Sequence, residues 1–141
     1  MKWLDIPPVW LVGALILAWI DRRGEGGFVW IGTLILMAGL VLMAAAVLQM
    51  MNARTTPVPH MQPRSLVSTG IFAISRNPIY LGDLMVLAGF CLRWGAWWSL
   101  ILVPLLAWVL TRRFILPEEA RLRSAFGPAF DAYAARTRRW I

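Results

Sequence analysis

The sequence predicts an all-α, polytopic membrane protein: about four transmembrane helices followed by a short amphipathic helical tail. Three observations predict it. Of 141 residues, 60% are hydrophobic and only 15% charged, outside the usual composition of soluble domains. The apolar residues come in long runs, the clearest being Phe28 to Met51, which carries no charge. The basic residues lie outside those runs and collect on one side of them.

The first span covers residues 3–20. Val9 to Ile20 is short, and Trp3 to Pro8 bring it near spanning length, with Asp5 at the interface. Pro7 and Pro8 suit the first turn of a helix, where their missing N–H groups cost little. The stretch ends at Trp19-Ile20-Asp21-Arg22-Arg23 rather than at a small-residue cleavage site, so no cleavable signal peptide is expected. The second span, residues 28–51, reaches about 36 Å as a helix, enough to cross a ~30 Å hydrocarbon core with some tilt. Its Gly32, Gly39 and Ala44 to Ala46 allow neighbouring helices to approach closely.

The third span, residues 79–92, is short and contains Asp83; the fourth, residues 97–116, contains Pro104. A short span implies tilt or partial immersion. Arg93, Trp94 and Gly95 mark the turn between them, with Trp94, Trp97 and Trp98 as an aromatic belt. In the tail, Pro117 opens a helix whose first turn holds Glu118 and Glu119, where the dipole favours carboxylates. Gly127-Pro128 ends that helix and starts another with Phe130 and Tyr133 on one face. A basic, amphipathic tail of this kind is expected along the membrane surface.

Four crossings put the N-terminus, the Asn52–Arg76 connector and the tail on one side. That side holds Lys2, Arg54, Arg64, Arg76 and seven arginines from Arg112 onward, against Arg22, Arg23 and Arg93 on the other. The asymmetry predicts an integral membrane protein with both termini cytoplasmic. It also explains the net charge of +7 without a nucleic-acid partner. The length allows a single domain, residues 1–141. One cysteine, Cys91, excludes an internal disulfide or a cysteine-based zinc cluster. His60, between prolines in the connector, reads as a loop residue, and one histidine makes no metal site.

Polar residues at membrane depth are expensive and are therefore functional candidates. They fall in two places on the predicted cytoplasmic side: the connector from Leu66 to Asp83, and the junction Arg112–Glu119. Each has a simpler reading. Asn77-Pro78 makes a good N-cap and N1 pair, Tyr80 a good interfacial anchor, and Glu118 and Glu119 good dipole partners. Asp83, three residues beyond Tyr80 on the same helical face, could pair with an arginine.

Order and spacing say more than any one residue. L-V-S-T-G-I-F-A-I-S-R-N-P-I-Y-L-G is followed, after a hydrophobic hairpin, by E-E-A-R-L-R-S-A-F-G-P-A-F-D-A-Y. This pair of motifs, within residues 64–83 and 113–140, resembles the isoprenylcysteine carboxyl methyltransferase and phospholipid methyltransferase superfamily. The resemblance implies a helical membrane enzyme that uses S-adenosylmethionine at the cytoplasmic interface. By motif position it implies Leu66, Val67 and Phe72 along the adenosine and methionine portions, Asn77, Pro78, Ile79 and Tyr80 as the central wall, and Glu118 on polar groups of the cofactor. Such a site makes chemical sense: aromatic faces stabilise a sulfonium, a carboxylate holds an amino group, and a helix start receives a carboxylate.

The acceptor implied is lipophilic or small, entering from the bilayer. An amine or thiol must lose a proton, for which Glu119 or Asp83 is placed; a carboxylate needs only orientation, by Arg76 or Arg113. Phe72 stands where the family commonly has tyrosine. Asn77 stands where carboxyl-methylating members usually have histidine. Phe114 stands where they carry an arginine about one turn before the glutamate pair, which weighs against prenylcysteine. No G-x-G-x-x-G run follows a strand, so the soluble nucleotide-binding scaffold is not expected. The rival readings are a small four-helix transporter, which calls for a mid-span acid, and a non-catalytic assembly protein, which leaves the paired motifs unexplained.

Overall fold

The structure is a computed structural model and describes residues 5–24, 28–55, 57, 61 and 63–141. Lys2, Trp3 and His60 lie outside the described residues. Every regular element among the described residues is helical: α1 (Pro7–Ile20), α2 (Val29–Asn52), α3 (Pro78–Trp94), α4 (Leu102–Leu110), α5 (Leu116–Phe126) and α6 (Pro128–Arg136).

Two helices are long and apolar enough to cross a membrane: Val29–Asn52, and a continuous run Trp98–Phe126 that includes α4 and α5. Only 17% of the most apolar stretch of α2 is buried, so it is not the core helix of a soluble globule. Trp30, Leu34, Val41 and Leu48 stand outward on it, as do Ile101, Leu105 and Trp108 on the later helix. The first helix begins at Pro7, with prolines in its first turn as expected, and runs only about 21 Å. The third, extended at both ends relative to residues 79–92, runs about 25 Å.

Close backbone contact fixes how α2 and α3 pair. Gly32, Gly39 and Ala46 recur at seven-residue spacing and form the buried face of α2. A Cβ on Gly32 would stand 2.6 Å from the carbonyl oxygen of Gly89, and one on Gly39 2.9 Å from that of Gly82. The two helices therefore run antiparallel with backbones touching, which only glycine permits at those positions. By contrast, α1 rests on α3 and α4, filling the face of α3 turned away from α2.

At one end of the bundle, polar contacts tie the turns together. The Asp21 carboxylate accepts the backbone N–H and the hydroxyl of Ser99, both at 3.0 Å. Arg93 donates to the Thr33 hydroxyl, and Arg23 N–H bonds the Trp94 carbonyl at 3.0 Å. Two of the tryptophans expected in a belt pack against other rings here: Trp94 meets Trp19 edge-on at 5.2 Å and Trp97 meets Phe28 at 5.6 Å. Gly95, at φ 63°, supplies the left-handed residue that turns the chain out of α3.

The fourth span does not stop at Leu116. Thr111–Ile115 forms a π-turn that carries the helix into α5. Pro117 explains it: the ring has no N–H for the Arg113 carbonyl and would clash with it in a regular α-turn. Widening the turn by one residue relieves the clash. The tail also departs from expectation. The apolar face of α6 is not left for a membrane surface: Phe130 and Tyr133, 1% and 3% exposed, pack with Phe72 and Ala46.

Candidate functional site

The first motif enters as an extended connector, makes a 3₁₀ turn at Gly70–Ala73 and then starts α3. Gln49 on α2 holds that turn, donating to the Thr69 carbonyl at 2.6 Å and accepting the Ile71 N–H at 3.2 Å. Phe72 is thereby buried with its ring under α6, whose Tyr133 hydroxyl donates to the Phe72 carbonyl at 2.6 Å. Burial pushes the Tyr133 phenol up to about 12.

Asn77 occupies the N-cap position with Pro78 at N1, as the sequence suggests, but its side chain does not cap the helix. Its Nδ2 donates instead to the carbonyl of Arg139 at 3.0 Å, and its own N–H bonds the Ser75 hydroxyl at 3.1 Å. The backbone N–H of Arg76 bonds the Arg138 carbonyl at 3.1 Å. The last residues of the chain thus lie against the first motif.

Two cavities open beside this junction. The larger, about 250 Å³, is lined by Phe72, Arg76, Asn77, Pro78, Ile79, Tyr80, Asp83 and Glu118 on one wall. Pro7 and Pro8 of α1 and Met43, Val47 and Met50 of α2 add an apolar lining. The smaller, about 60 Å³, is lined by Leu66, Val67, Phe72, Arg76, Glu118, Arg121 and Tyr133, among others. Phe72, Arg76, Glu118 and Met50 belong to both. Cofactor-wall residues expected from the two motifs, Leu66, Val67, Phe72, Asn77, Pro78, Ile79, Tyr80 and Glu118, all reach one or both cavities. Tyr80 and Glu118 both line the larger cavity, where the Glu118 carboxylate and the Tyr80 phenol interact electrostatically.

The four expected catalytic residues divide. Arg76 and Asp83 face the larger cavity, and Asp83 is 4% exposed. Glu119 lies elsewhere: its carboxylate takes two hydrogen bonds from Arg139, at 2.9 and 2.8 Å, and Arg76 approaches it at 3.2 Å. That hydrogen bonding holds the Arg139 guanidinium above its usual value. Arg113 pairs with Asp5 at 3.1 Å, half-exposed, beside the Trp10 ring. Neither Glu119 nor Arg113 lines either of these two cavities.

The phospholipid methyltransferase family matches the chain over residues 28–129, well over half of it. The chain belongs to the phospholipid methyltransferase family. The matched region takes in α2, α3 and the run from Trp98 through α5, and so every motif residue that lines the two cavities except Tyr133. Membership in the phospholipid methyltransferase family makes the chain a methyltransferase, and with its two long apolar helices it accords with a membrane enzyme. No curated protein and no solved structure matches.

Several lining residues were not singled out from sequence. Arg121 lies three residues after Glu118 and shares its helical face, a signal that was available. Met43, Val47 and Met50 gave none, because an apolar residue facing a cavity and one facing lipid look alike in sequence.

Proposed function

We propose that the chain is an integral membrane methyltransferase that takes its methyl group from S-adenosylmethionine and gives it to the amine of a lipid. All four helical segments, α1, α2, α3 and Trp98–Phe126, cross or enter the bilayer in this reading, with both termini cytoplasmic. The basic residues gathered at the end where the cavities lie support that orientation.

One observation carries the proposal. Two motifs far apart in sequence converge on Phe72, Arg76, Tyr80, Asp83 and Glu118 around adjoining cavities. The donor set suits S-adenosylmethionine. Glu118 offers a carboxylate to its amino group, and Phe72 and Tyr80 offer aromatic faces to its sulfonium. The first-turn amides of α3, which have no acceptor within the helix, can receive its carboxylate. Arg76, whose side chain lines both cavities, is a further donor at the same place. When bound, the cofactor supplies an electrophilic methyl group.

The residues of the chain then have separate tasks. Proline and methionine side chains from α1 and α2 line the apolar wall and admit a hydrocarbon chain from the bilayer. Asp83 sits at the polar wall without an ion-pair partner among the described residues, so it can receive the proton that an ammonium must lose before its nitrogen attacks. A carboxylate acceptor is less well served: of the two arginines that could orient it, Arg113 is turned away to Asp5 and Arg76 is shared with Glu119 and the cofactor, while Asp83 and Glu118 repel it. Catalysis is then chiefly alignment of the nitrogen with the methyl group, together with proton removal.

The test is transfer of label from methyl-labelled S-adenosylmethionine to vesicles. Vesicles containing an aminoethyl phospholipid should acquire label in the lipid fraction. Label in lipids without an amine, or none in any lipid, would contradict the acceptor reading.

A further inference from the structure

Beyond the residues that line the cavities, we infer that Arg139 is a positioning residue, acting through Glu119 to hold Arg76 where the two cavities meet. The C-terminal segment after α6 makes a series of contacts, each to the first motif or its partner. Thr137 bonds the Ala73 carbonyl at 3.4 Å, the Arg138 carbonyl takes the Arg76 N–H at 3.1 Å, and the Arg139 carbonyl takes Asn77 Nδ2 at 3.0 Å. Trp140 then packs against the core cluster that contains Tyr80 and Phe114. These backbone contacts place the chain; the Arg139 side chain does something more specific.

Its planar guanidinium meets the Glu119 carboxylate at both oxygens, Nε to Oε1 at 2.9 Å and Nη2 to Oε2 at 2.8 Å. A bidentate pair of this kind fixes orientation as well as distance. The oriented Oε1 is the atom that Arg76 Nη1 approaches at 3.2 Å. Glu119 itself is 8% exposed, so its charge is poorly screened and draws whatever guanidinium is within reach. With Arg139 in place, Arg76 is held by one nitrogen while the rest of its guanidinium remains on the cavity side. Without it, Arg76 is free to chelate Glu119 through both nitrogens and swing out of the cavities. Since Arg76 belongs to the proposed cofactor site, the effect on ligand affinity rests on that reading; the effect on the backbone does not.

Two measurements on the full-length protein in detergent test this. Hydrogen exchange of the peptide spanning residues 72–80 reports the Arg76 and Asn77 amides. Arg139→Ala should speed exchange there by about tenfold, and Arg139→Lys should recover only part of the protection, since lysine cannot form the fork. Unchanged exchange in Arg139→Ala would overturn the inference, whether or not the protein binds a cofactor. The second measurement is a double-mutant cycle on S-adenosylhomocysteine affinity. Arg139→Ala should weaken binding about three- to tenfold in the native background and have no further effect in Arg76→Ala, the signature of coupled residues. Equal losses in both backgrounds would show that Arg139 does not act through Arg76. Failure of the native protein to bind the ligand would instead count against the functional reading, leaving the exchange result to decide the positioning role.

Discussion

Glu118 and Glu119 are neighbours in sequence but serve different parts of the structure. Glu118 lines both cavities and faces Tyr80 across the larger one, whereas Glu119 is buried and clamped between Arg139 and Arg76. Adjacent helical residues point about 100° apart, so one helix start can supply both functions. Glu119→Ala should therefore lower stability, by about 1.5–3 kcal/mol for a lost charged hydrogen-bond partner. Its melting temperature in detergent should fall well below that of Glu118→Ala. Equal melting temperatures would mean that the clamp contributes nothing.

In the proposed mechanism Asp83 serves the chemistry and not cofactor binding. Asp83→Asn keeps the size and polarity of the side chain but cannot take a proton. Turnover with an aminolipid should drop about 10²- to 10⁴-fold, the usual range for a lost general base, while S-adenosylhomocysteine affinity stays within a few fold. Undiminished turnover would remove Asp83 from the mechanism.

The α2–α3 contact predicts a contrast between two glycines. Gly89→Ala would place a Cβ 2.7 Å from the Gly32 carbonyl oxygen and should destabilise by about 1–3 kcal/mol through overpacking. Gly13→Ala meets nothing within 4 Å and should be neutral or stabilising by up to ~1 kcal/mol from helix propensity. Thermal unfolding of the two variants side by side checks both signs.

These contrasts also show which parts of the molecule were legible in the sequence. The apolar runs, the prolines at helix starts and the Gly127-Pro128 break announced the helices, because each is a local property. Motif spacing announced the cavity wall from Leu66 to Tyr80 and its partner Glu118. The docking of the tail was hidden, because its acceptors at Arg138 and Arg139 are backbone carbonyls, which every residue has. Asn77 looked like a cap for that reason: its alternative partner is a carbonyl sixty-two residues away. The roles of Glu119 and Arg113 depended on long-range partners, Arg139 and Asp5, that no spacing rule connects. The π-turn follows from Pro117 only once the helix is known to continue through it.

Tyr133 links the tail to the connector and carries a pH signature. Its folded phenol titrates at about 12, above the ordinary value of 10.0. The folded state therefore keeps its proton where the unfolded state loses it, so this contribution is present below pH 10 and is lost as pH rises through that window. Tyr133→Phe should cost about 0.5–1.5 kcal/mol at neutral pH and flatten the alkaline limb of the stability curve. An unchanged limb would show that another group governs it.

The central claim is that the two motifs build one S-adenosylmethionine site with Glu118 as its anchoring carboxylate. Isothermal titration of the detergent-solubilised protein with S-adenosylhomocysteine tests it most directly. Saturable one-to-one binding is expected in the native protein, weakened roughly ten- to hundred-fold in folded Glu118→Ala, since a charged hydrogen-bond partner is worth ~1.5–3 kcal/mol. No binding to the native protein, or equal affinity in the variant, would contradict the claim.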